Sequence, residues 1–276
     1  MEIEYITHSL DATLSMNDPH VMALGFFDGV HLGHQSLLQQ AKAIAKKENV
    51  KFTVMTFDPH PNEIFKRETD RRYITPPDSK LERISALGAD KIFVMNFNFP
   101  FASLPADDFI QKYIVGLNAK HVVVGFDFTF GHKAQGDVDY LRHFSKNSSF
   151  EVTVISKKTR NNQKISSTLI RKLISDGDVH LIPDYLGKHY EITGSLDSLV
   201  ESPIQNTAFH IHNKYLMPKP GLYKVEIISG TIGTKGLLRC GGESCHLSSS
   251  AWVSLYSGEI TIKFLYQAAL MRTVSV

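Results

Sequence analysis

The chain of 276 residues carries 30 basic and 28 acidic side chains, which gives a formal net charge of +2 at pH 7. This near balance provides no overall field that would attract nucleic acid or an anionic membrane, so we expect any bound anion to be held by local groups. The length is comfortable for two domains, each with its own hydrophobic core.

The cysteine content and the amino-terminal sequence bear on the cellular compartment. Cys240 and Cys245 are the only two cysteines, which argues against a disulfide scaffold or a zinc ribbon and favours a reducing environment. The chain opens without the basic and apolar regions of a signal peptide, and it has no run of about 18 apolar residues. We expect a cytoplasmic protein with small-molecule partners, no nucleic acid and no membrane, and the sequence does not predict its oligomeric state.

Short apolar runs alternate with helical patterns in the first half of the chain. The apolar runs predict buried strands at residues 21–27, 52–57, 92–95, 121–125 and 152–155. Helices are predicted after His34, at residues 79–87 and at residues 106–117. This alternation predicts an α/β fold with a doubly wound parallel sheet, whose ligand crevice lies at the carboxyl ends of the strands.

The alternation of strands and helices stops near residues 183–188. Beyond it, period-two patterns separated by glycine-containing and proline-containing turns predict strands at residues 190–193, 223–228, 251–256 and 259–266. Such a series is typical of a small antiparallel β-barrel. We predict a domain boundary near residue 184, which divides the chain into domains 1–184 and 185–276.

The first predicted strand ends in a motif that suits phosphate binding. The residues that follow it read Asp28-Gly29-Val30-His31-Leu32-Gly33-His34 and lead into a helix. A helix that begins at the carboxyl edge of a sheet presents backbone N–H groups to an anion. The i, i+3 spacing turns both imidazoles to one side, and Gly33 is expected to leave room between them for a ligand.

Two other interpretations of His31 and His34 remain open from the residues alone. Either imidazole can act as a helix cap or lie on the helix surface. A zinc site is the second alternative, but two histidines are too few ligands, and the nearest carboxylate, Asp28, follows directly on a strand.

A second candidate for anion binding lies at residues 165–171, which read Ile-Ser-Ser-Thr-Leu-Ile-Arg. Serine and threonine before an apolar helical run are typical helix caps. Arg171 falls one turn inside the helix, where its guanidinium can join the hydroxyl groups on one anion. This segment is either a routine helix start or a second phosphate clamp.

Aromatic residues follow two of the predicted strands, at residues 56–62 and 125–131. Phe126, Phe128 and Phe130 alternate between two glycines, an arrangement that suits either core packing or a flat slot for a planar ring system. Asp127 is placed to accept hydrogen bonds from ring N–H groups in such a slot.

Residues 25–34, 57–61, 125–131 and 165–171 together resemble the bacterial bifunctional riboflavin kinase/FAD synthetase family. The resemblance implies a Rossmann-like nucleotidyltransferase domain that uses ATP and Mg²⁺ to adenylylate FMN, with FAD and pyrophosphate as products. It implies ATP binding by Gly25, Phe26, Phe27, Asp28, Gly29, His31, Gly33, His34, Ser166, Ser167, Thr168 and Arg171, of which His31, His34, Ser167, Thr168 and Arg171 stabilise charge during the reaction. It places the flavin at Phe57, Asp58, His60, Pro61, Asn62, Gly125, Asp127, Phe128 and Phe130, where the family often has Asn at the position of Asp127.

The second domain resembles the riboflavin kinase barrel of the same family but departs from its motifs. Where the family has a Pro-Thr-Ala-Asn segment, residues 201–209 read Glu-Ser-Pro-Ile-Gln-Asn-Thr-Ala-Phe. The position of the catalytic glutamate, two residues before a histidine, falls on Ser244, with Glu243 one position away. The sequence also ends before the helix that usually closes the kinase site. We therefore expect a degenerate barrel without riboflavin kinase activity.

The principal hypothesis is FMN adenylyltransferase, with in-line attack of the flavin phosphate on the α-phosphorus of ATP. Two alternatives remain open: a non-catalytic sensor of flavin or nucleotide, and a nucleotidyltransferase for another phosphorylated acceptor such as a pyridine mononucleotide. With few carboxylates near the motifs, we expect no protein metal site and expect Mg²⁺ to arrive on the ATP phosphates.

Overall fold

The computed structural model describes residues 1–8, 18–68, 70–196, 207–212, 214–241, 244–249 and 259–270. The chain forms two compact units. The first unit comprises Met1–Arg71 and Pro77–Thr159, and the second unit comprises Arg72–Pro76 and Arg160–Val276.

The first unit is built on a six-stranded parallel sheet. Its strands are β1 (Glu2–Thr7), β2 (His20–Leu24), β3 (Lys51–Asp58), β4 (Lys91–Asn96), β5 (Ala119–Gly125) and β6 (Glu151–Ile155). They lie in the order β1-β4-β3-β2-β5-β6, and every neighbouring pair is parallel. The carboxyl ends of all six strands therefore meet at one edge of the sheet, which confirms the predicted fold class.

Helices cover both faces of this sheet. They are α1 (Leu32–Glu48), α2 (Pro61–Phe65), α3 (Pro77–Ala86), α4 (Phe99–Ala102), α5 (Ala106–Ile110), which continues as a π-helical turn over Gln111–Val115, and α6 (Val138–Ser145), with a 3-10 turn at His132–Ala134. Val21 and Ala23 of β2 pack in one apolar cluster with α1, while Met22 and Leu24 pack in the cluster on the opposite face. The central strand is thus buried on both sides, as a doubly wound sheet requires.

The second unit contains a closed antiparallel barrel. Its strands are β9 (Glu191–Leu196), β10 (Thr207–Ile211), β11 (Gly221–Ser229), β12 (Ile232–Gly241), β13 (Ser244–Ser248) and β14 (Ile260–Leu270), in the order β10-β13-β12-β11-β14-β9. The segment before the barrel holds β7 (Thr159–Arg160), β8 (Gln163–Lys164), α7 (Ser167–Asp176), a 3-10 turn at Val179–Leu181, and α8 (Pro183–Leu186). Cys240 and Cys245 lie opposite each other on β12 and β13 as buried free thiols.

Several elements differ from the sequence predictions. Strand β1 was not predicted, because it lies at the sheet edge with a mostly exposed surface and carries Glu2 and Glu4. Strands β10, β12 and β13 were also missed, and the predicted strand at residues 251–256 lies outside the described residues. Residues 160–184 pack with the second unit, whereas the predicted domain boundary lies near residue 184 and stays a prediction.

No helix in the described part of the chain is both long enough and apolar enough to cross a membrane.

The packing of α1 on the sheet can be tested at Leu38, which is fully buried on this helix. Leu38→Ala should lower the free energy of unfolding by about 2–5 kcal/mol, since it removes a buried side chain and leaves a cavity. Gln40→Ala, at an exposed position of the same helix, should change it by less than about 0.5 kcal/mol. Urea denaturation followed by circular dichroism measures both, and equal stabilities for the two variants would contradict the packing described here.

Candidate active site

The turn between β2 and α1 is held in a strained conformation. Phe27 and Val30 have φ angles of 60° and 45°, in the left-handed region that a β-branched residue such as valine rarely adopts. The Val30 N–H donates to the Phe27 carbonyl at 3.0 Å, and Gln35 Nε2 donates to the Val30 carbonyl at 2.9 Å. Strain of this kind persists where the surrounding contacts hold the chain, and it is concentrated at functional sites.

His31 is the amino-terminal cap of α1. Its Nδ1 atom accepts a hydrogen bond from the backbone N–H of His34 at 3.1 Å, so in the neutral ring the proton lies on Nε2. The two imidazoles stack with 3.6 Å between their centroids and 13° between their planes. The expectation that Gly33 leaves room for a ligand between them is wrong, because the capping hydrogen bond brings the rings into van der Waals contact. A ligand can meet only their edges.

His34 is held in the neutral form. Burial lowers the pKa of His34 well below its ordinary value, and the charges of His31 and Lys80 lower it further. The Nδ1 atom of His34 is buried and has no hydrogen-bond partner among the described residues. A neutral imidazole at a helix start contributes one N–H donor, and such a donor can bind an anion together with the backbone N–H groups there.

A cavity of about 560 Å³ lies beside this turn, entirely within the first unit. Its lining includes four of the predicted ATP-binding residues, which are Gly25, Phe26, Phe27 and His34. From the predicted flavin-binding residues it is lined by Phe57, Pro61, Gly125, Asp127, Phe128 and Phe130. The structure therefore brings the ends of β2, β3 and β5 together around one space, as their shared carboxyl edge predicts.

One wall of the cavity is aromatic. The rings of Phe128 and Phe130 stack with centroids 5.6 Å apart, and Phe109 approaches Phe130 at 5.2 Å. Asp127 is an exposed residue of the lining. Phe126 is not part of this wall, and it is 40% exposed. The predicted slot of three alternating phenylalanines therefore contains two of them, with the remaining rings supplied by other segments.

Those other segments were missed by sequence reasoning. The cavity is also lined by Phe65, Phe97, Phe101 and Phe109. Phe97 directly follows β4 and Phe101 lies in the short helix α4, so both extend from the same carboxyl edge as the predicted residues. Applying the rule of the common strand edge to β4 would have found them.

Several predicted residues are not part of the cavity lining. They are Asp28, Gly29, His31, Gly33, Asp58, His60 and Asn62. His60 caps α2: its Nδ1 accepts from the Asn62 N–H at 3.0 Å, and the Glu63 carboxylate accepts from the His60 N–H at 3.1 Å. Asp28 is 3% exposed and faces the positive charge of Lys80. Ligand-binding roles for these seven residues stay predictions.

The residues of the second predicted phosphate clamp belong to the second unit. Ser166 caps α7, since its hydroxyl accepts from the Leu169 N–H at 3.3 Å. Ser167 and Thr168 occupy the first turn of the helix, and Arg171 Nη1 donates to the Arg72 carbonyl at 2.8 Å. The predicted helix start is confirmed, and its role toward phosphate stays a prediction.

Within the described residues, no group of three or more His, Cys, Asp or Glu side chains is arranged to hold a metal ion. Among the residues that the structure describes, Asp127 is the only carboxylate in the lining of the cavity. These donors do not form an oxygen cage of the kind that binds magnesium by protein groups alone.

Comparison with known proteins identifies the family. The family model for FAD synthetase matches residues 14–169, which is more than half of the chain. The chain belongs to the FAD synthetase family. A bifunctional riboflavin kinase/FMN adenylyltransferase of Listeria monocytogenes is 36% identical over 82% of this chain and 73% of the relative, and the protein of the same name from Bacillus subtilis is 37% identical over the same shares.

The fold likeness extends beyond the segment that the FAD synthetase model matches. A solved structure described as a macrolide-efflux protein from Streptococcus pneumoniae has a TM-score of 0.86 and 25% identity, over 99% of this chain and 93% of that chain. The likeness includes the barrel of this FAD synthetase family member. In that barrel, Ser244 and His246 lie two residues apart on β13, while residues 201–206 and Glu243 lie outside the described residues.

The neutral state of His34 predicts how stability depends on pH. Because the folded protein binds this proton less readily than the unfolded chain, the stabilisation is complete above about pH 6.5 and is lost as the pH falls toward the lowered pKa. His34→Gln should flatten this part of the curve, by at most about 1.4 kcal/mol per pH unit. Urea denaturation between about pH 5 and pH 7.5 measures the effect.

His180→Gln is the control for this experiment, since His180 is an exposed histidine and its replacement should leave the wild-type curve unchanged. Burial also lowers the pKa of His20, to about 4, so the His34→Gln variant keeps part of the slope. A slope as steep as that of the wild type would contradict the neutral state of His34.

Proposed function

We propose that this protein is an FMN adenylyltransferase, which transfers AMP from ATP to FMN and releases pyrophosphate. The observation that carries the proposal is a cavity at the carboxyl edge of the sheet that both sets of predicted residues line. Its wall combines the helix start at His34 with an aromatic face built around Phe128 and Phe130. Membership of the FAD synthetase family supports the same activity.

The proposed reaction is a direct displacement. A phosphate oxygen of FMN forms a bond to the α-phosphorus of ATP, and the bond from that phosphorus to the bridging oxygen of the β-phosphate breaks. The second ionisation of a phosphate monoester has a pKa of about 6, so the attacking group is already an anion at pH 7. The reaction therefore needs no general base, and catalysis consists of alignment and stabilisation of charge.

The imidazoles of His31 and His34 suit this chemistry. The His34 ring is neutral at pH 7 because its pKa is lowered, so it binds phosphate as a hydrogen-bond donor. His31 Nδ1 fixes the first turn of α1 by accepting from the His34 N–H, and the helix start adds backbone N–H groups aimed at developing negative charge. We propose that these donors hold the ATP phosphates and stabilise the departing pyrophosphate.

The proposed flavin position follows from the character of the cavity wall. A planar ring system gains most from stacking on aromatic faces, and Phe57, Phe128 and Phe130 supply such faces in the lining. Asp127 supplies the carboxylate that accepts from a ring N–H of the flavin. Asp58 is the last residue of β3, and His60, Pro61 and Asn62 follow it in the chain. All four residues are proposed to support the same substrate.

The remaining proposed contacts concern the triphosphate. Ser166, Ser167, Thr168 and Arg171 combine hydroxyl groups, a helix start and a guanidinium, a donor set that suits phosphate. Magnesium is proposed to enter with ATP as part of the substrate, with water retained in its coordination sphere. No residue of this chain is assigned to the ion.

The barrel is proposed to lack riboflavin kinase activity. The Pro-Thr-Ala-Asn motif is absent from residues 201–209, and Ser244 stands at the position of the catalytic glutamate. A hydroxyl group on a strand does not replace a carboxylate as a proton acceptor at pH 7. The free thiols of Cys240 and Cys245 are consistent with the cytoplasmic location that we propose.

Both activities can be tested in one assay. When the protein is incubated with FMN, ATP and magnesium, it should form FAD and pyrophosphate in equal amounts. Chromatography measures the FAD that is formed. Riboflavin in place of FMN should give no FMN, and a pyridine mononucleotide should give no dinucleotide. Absence of FAD in the assay with FMN would refute the adenylyltransferase activity. Formation of FMN, or of FAD made from it, in the assay with riboflavin would refute the loss of the kinase activity.

The aromatic wall can be tested with a matched pair of variants. Phe128→Ala removes a ring from the cavity lining and should raise KM for FMN by about tenfold, since a lost aromatic contact of about 1.4 kcal/mol corresponds to that factor. Phe126→Ala removes a neighbouring ring outside the lining and should leave KM for FMN unchanged. Steady-state kinetics with ATP saturating measures both, and equal effects would contradict the flavin position.

A further inference from the structure

Lys80 lies on α3 and is almost completely buried, with 2% of its surface exposed. Lysine is almost never fully buried unless its charge is paired, because an ammonium group loses its hydration on burial. Burial lowers the pKa of Lys80 to about 8, against the carboxylates of Asp58 and Asp28, which raise it. Most Lys80 side chains are therefore charged at pH 7.

The ammonium group contacts two segments of the cavity wall. Lys80 Nζ donates to the Phe57 carbonyl at 3.1 Å, near the end of β3, and it lies 4.3 Å from the centroid of the Phe26 ring. Phe26 belongs to the turn that is proposed to bind ATP, and Phe57 belongs to the segment proposed to bind the flavin. Both residues line the cavity, whereas Lys80 contacts them without being part of the lining.

The charges around Lys80 follow the same division. Asp28 lies in the ATP-side turn, Asp58 lies at the flavin-side strand end, and both attract the ammonium group. The charge of Lys80 in turn helps to lower the pKa of His34. One turn further along α3, Arg83 Nη1 donates to the Gly29 carbonyl at 3.3 Å, which adds a second link from this helix to the ATP-side turn.

We propose that Lys80 is a positioning residue for adenylyl transfer, whose ammonium group joins the ATP-side turn to the flavin-side strand end and so sets the separation of the two reacting phosphates. This inference depends on the proposed adenylyltransferase activity. A displacement of reacting groups by about 1 Å can reduce the rate about 100-fold, so loss of this link should act mainly on kcat.

Lys91 provides a matched control for the loss of a partly buried lysine. Its Nζ atom lies 5.1 Å from the centroid of the Phe93 ring and pairs with Glu2 at 2.8 Å and Glu4 at 2.6 Å. These contacts resemble those of Lys80, but Lys91 is the first residue of β4 and therefore lies at the opposite edge of the sheet. Lys91→Met should affect stability without affecting the reaction.

The test compares FAD formation by the full-length wild type, Lys80→Met, Lys80→Arg and Lys91→Met. Lys80→Met should lower kcat by about 10-fold to 100-fold with smaller changes in KM for FMN and ATP. Lys91→Met should keep kcat within about twofold of wild type, as expected for a change far from the reacting groups. Thermal unfolding without substrates shows how much of each effect is a loss of folding.

The pH dependence of kcat/KM supplies a readout that a purely structural role would not change. In the wild type, the contribution of the Lys80 charge to kcat/KM should be lost as the pH rises through about 8. Lys80→Arg carries a guanidinium that stays protonated in this range, so it should restore activity relative to Lys80→Met and lack this alkaline decrease. The comparison of the pH profiles of wild type and Lys80→Arg tests the proposed role of Lys80 even if Lys80→Met does not fold.

The inference is overturned if wild type and Lys80→Met have the same kcat, or if wild type and Lys80→Arg show the same alkaline decrease. If the wild type forms FAD and either of these results is found, the role of Lys80 is refuted and the proposed adenylyltransferase activity is not. A wild type that forms no FAD would overturn the proposed function together with this inference.

Discussion

The hydrogen bond from the His34 N–H to His31 Nδ1 fixes the part of the molecule on which the site depends. Strand β2 is buried on both faces, so the chain that follows it emerges from the sheet at the carboxyl edge. The turn that follows is held by contacts around Phe27 and Val30, and the cap on α1 then locks both imidazoles in a stack. The result is a helix start whose imidazoles are positioned by these contacts, and we propose that it binds the ATP phosphates.

This constraint also determines the chemical character of the site. The His34 imidazole resists the uptake of a proton, because burial lowers its pKa and the charges of His31 and Lys80 lower it further. The lowered pKa of His34 makes it a poor candidate for a charged phosphate clamp and a good neutral donor. An anionic nucleophile such as the FMN phosphate needs no base, so the proposed reaction matches what these side chains can supply. In the proposed reaction, the aromatic wall of the cavity selects the acceptor.

Local patterns predicted the parts of the structure that local chemistry determines. The five apolar runs correspond to strands β2–β6, because a strand buried on both faces has a nearly continuous apolar sequence. The glycine-containing turn that leads into a helix predicted the position of the crevice. Strand β1 has no such apolar run, since it lies at an edge of the sheet. The stacking of His31 on His34 was missed because it follows from the geometry of one capping hydrogen bond. Lys80 was missed because only the packing of α3 brings it into contact with Phe26 and the Phe57 carbonyl.

The central claim is that the paired imidazoles bind ATP with His34 as a neutral donor. Titration of the histidine side chains by NMR, with and without magnesium and ATP, tests it most directly. The account predicts that His34 titrates well below the ordinary histidine range without ligand and that ATP shifts its ring resonances while those of the exposed His180 stay unchanged. An ordinary pKa for His34, or resonances that ATP leaves unaltered, would contradict the claim.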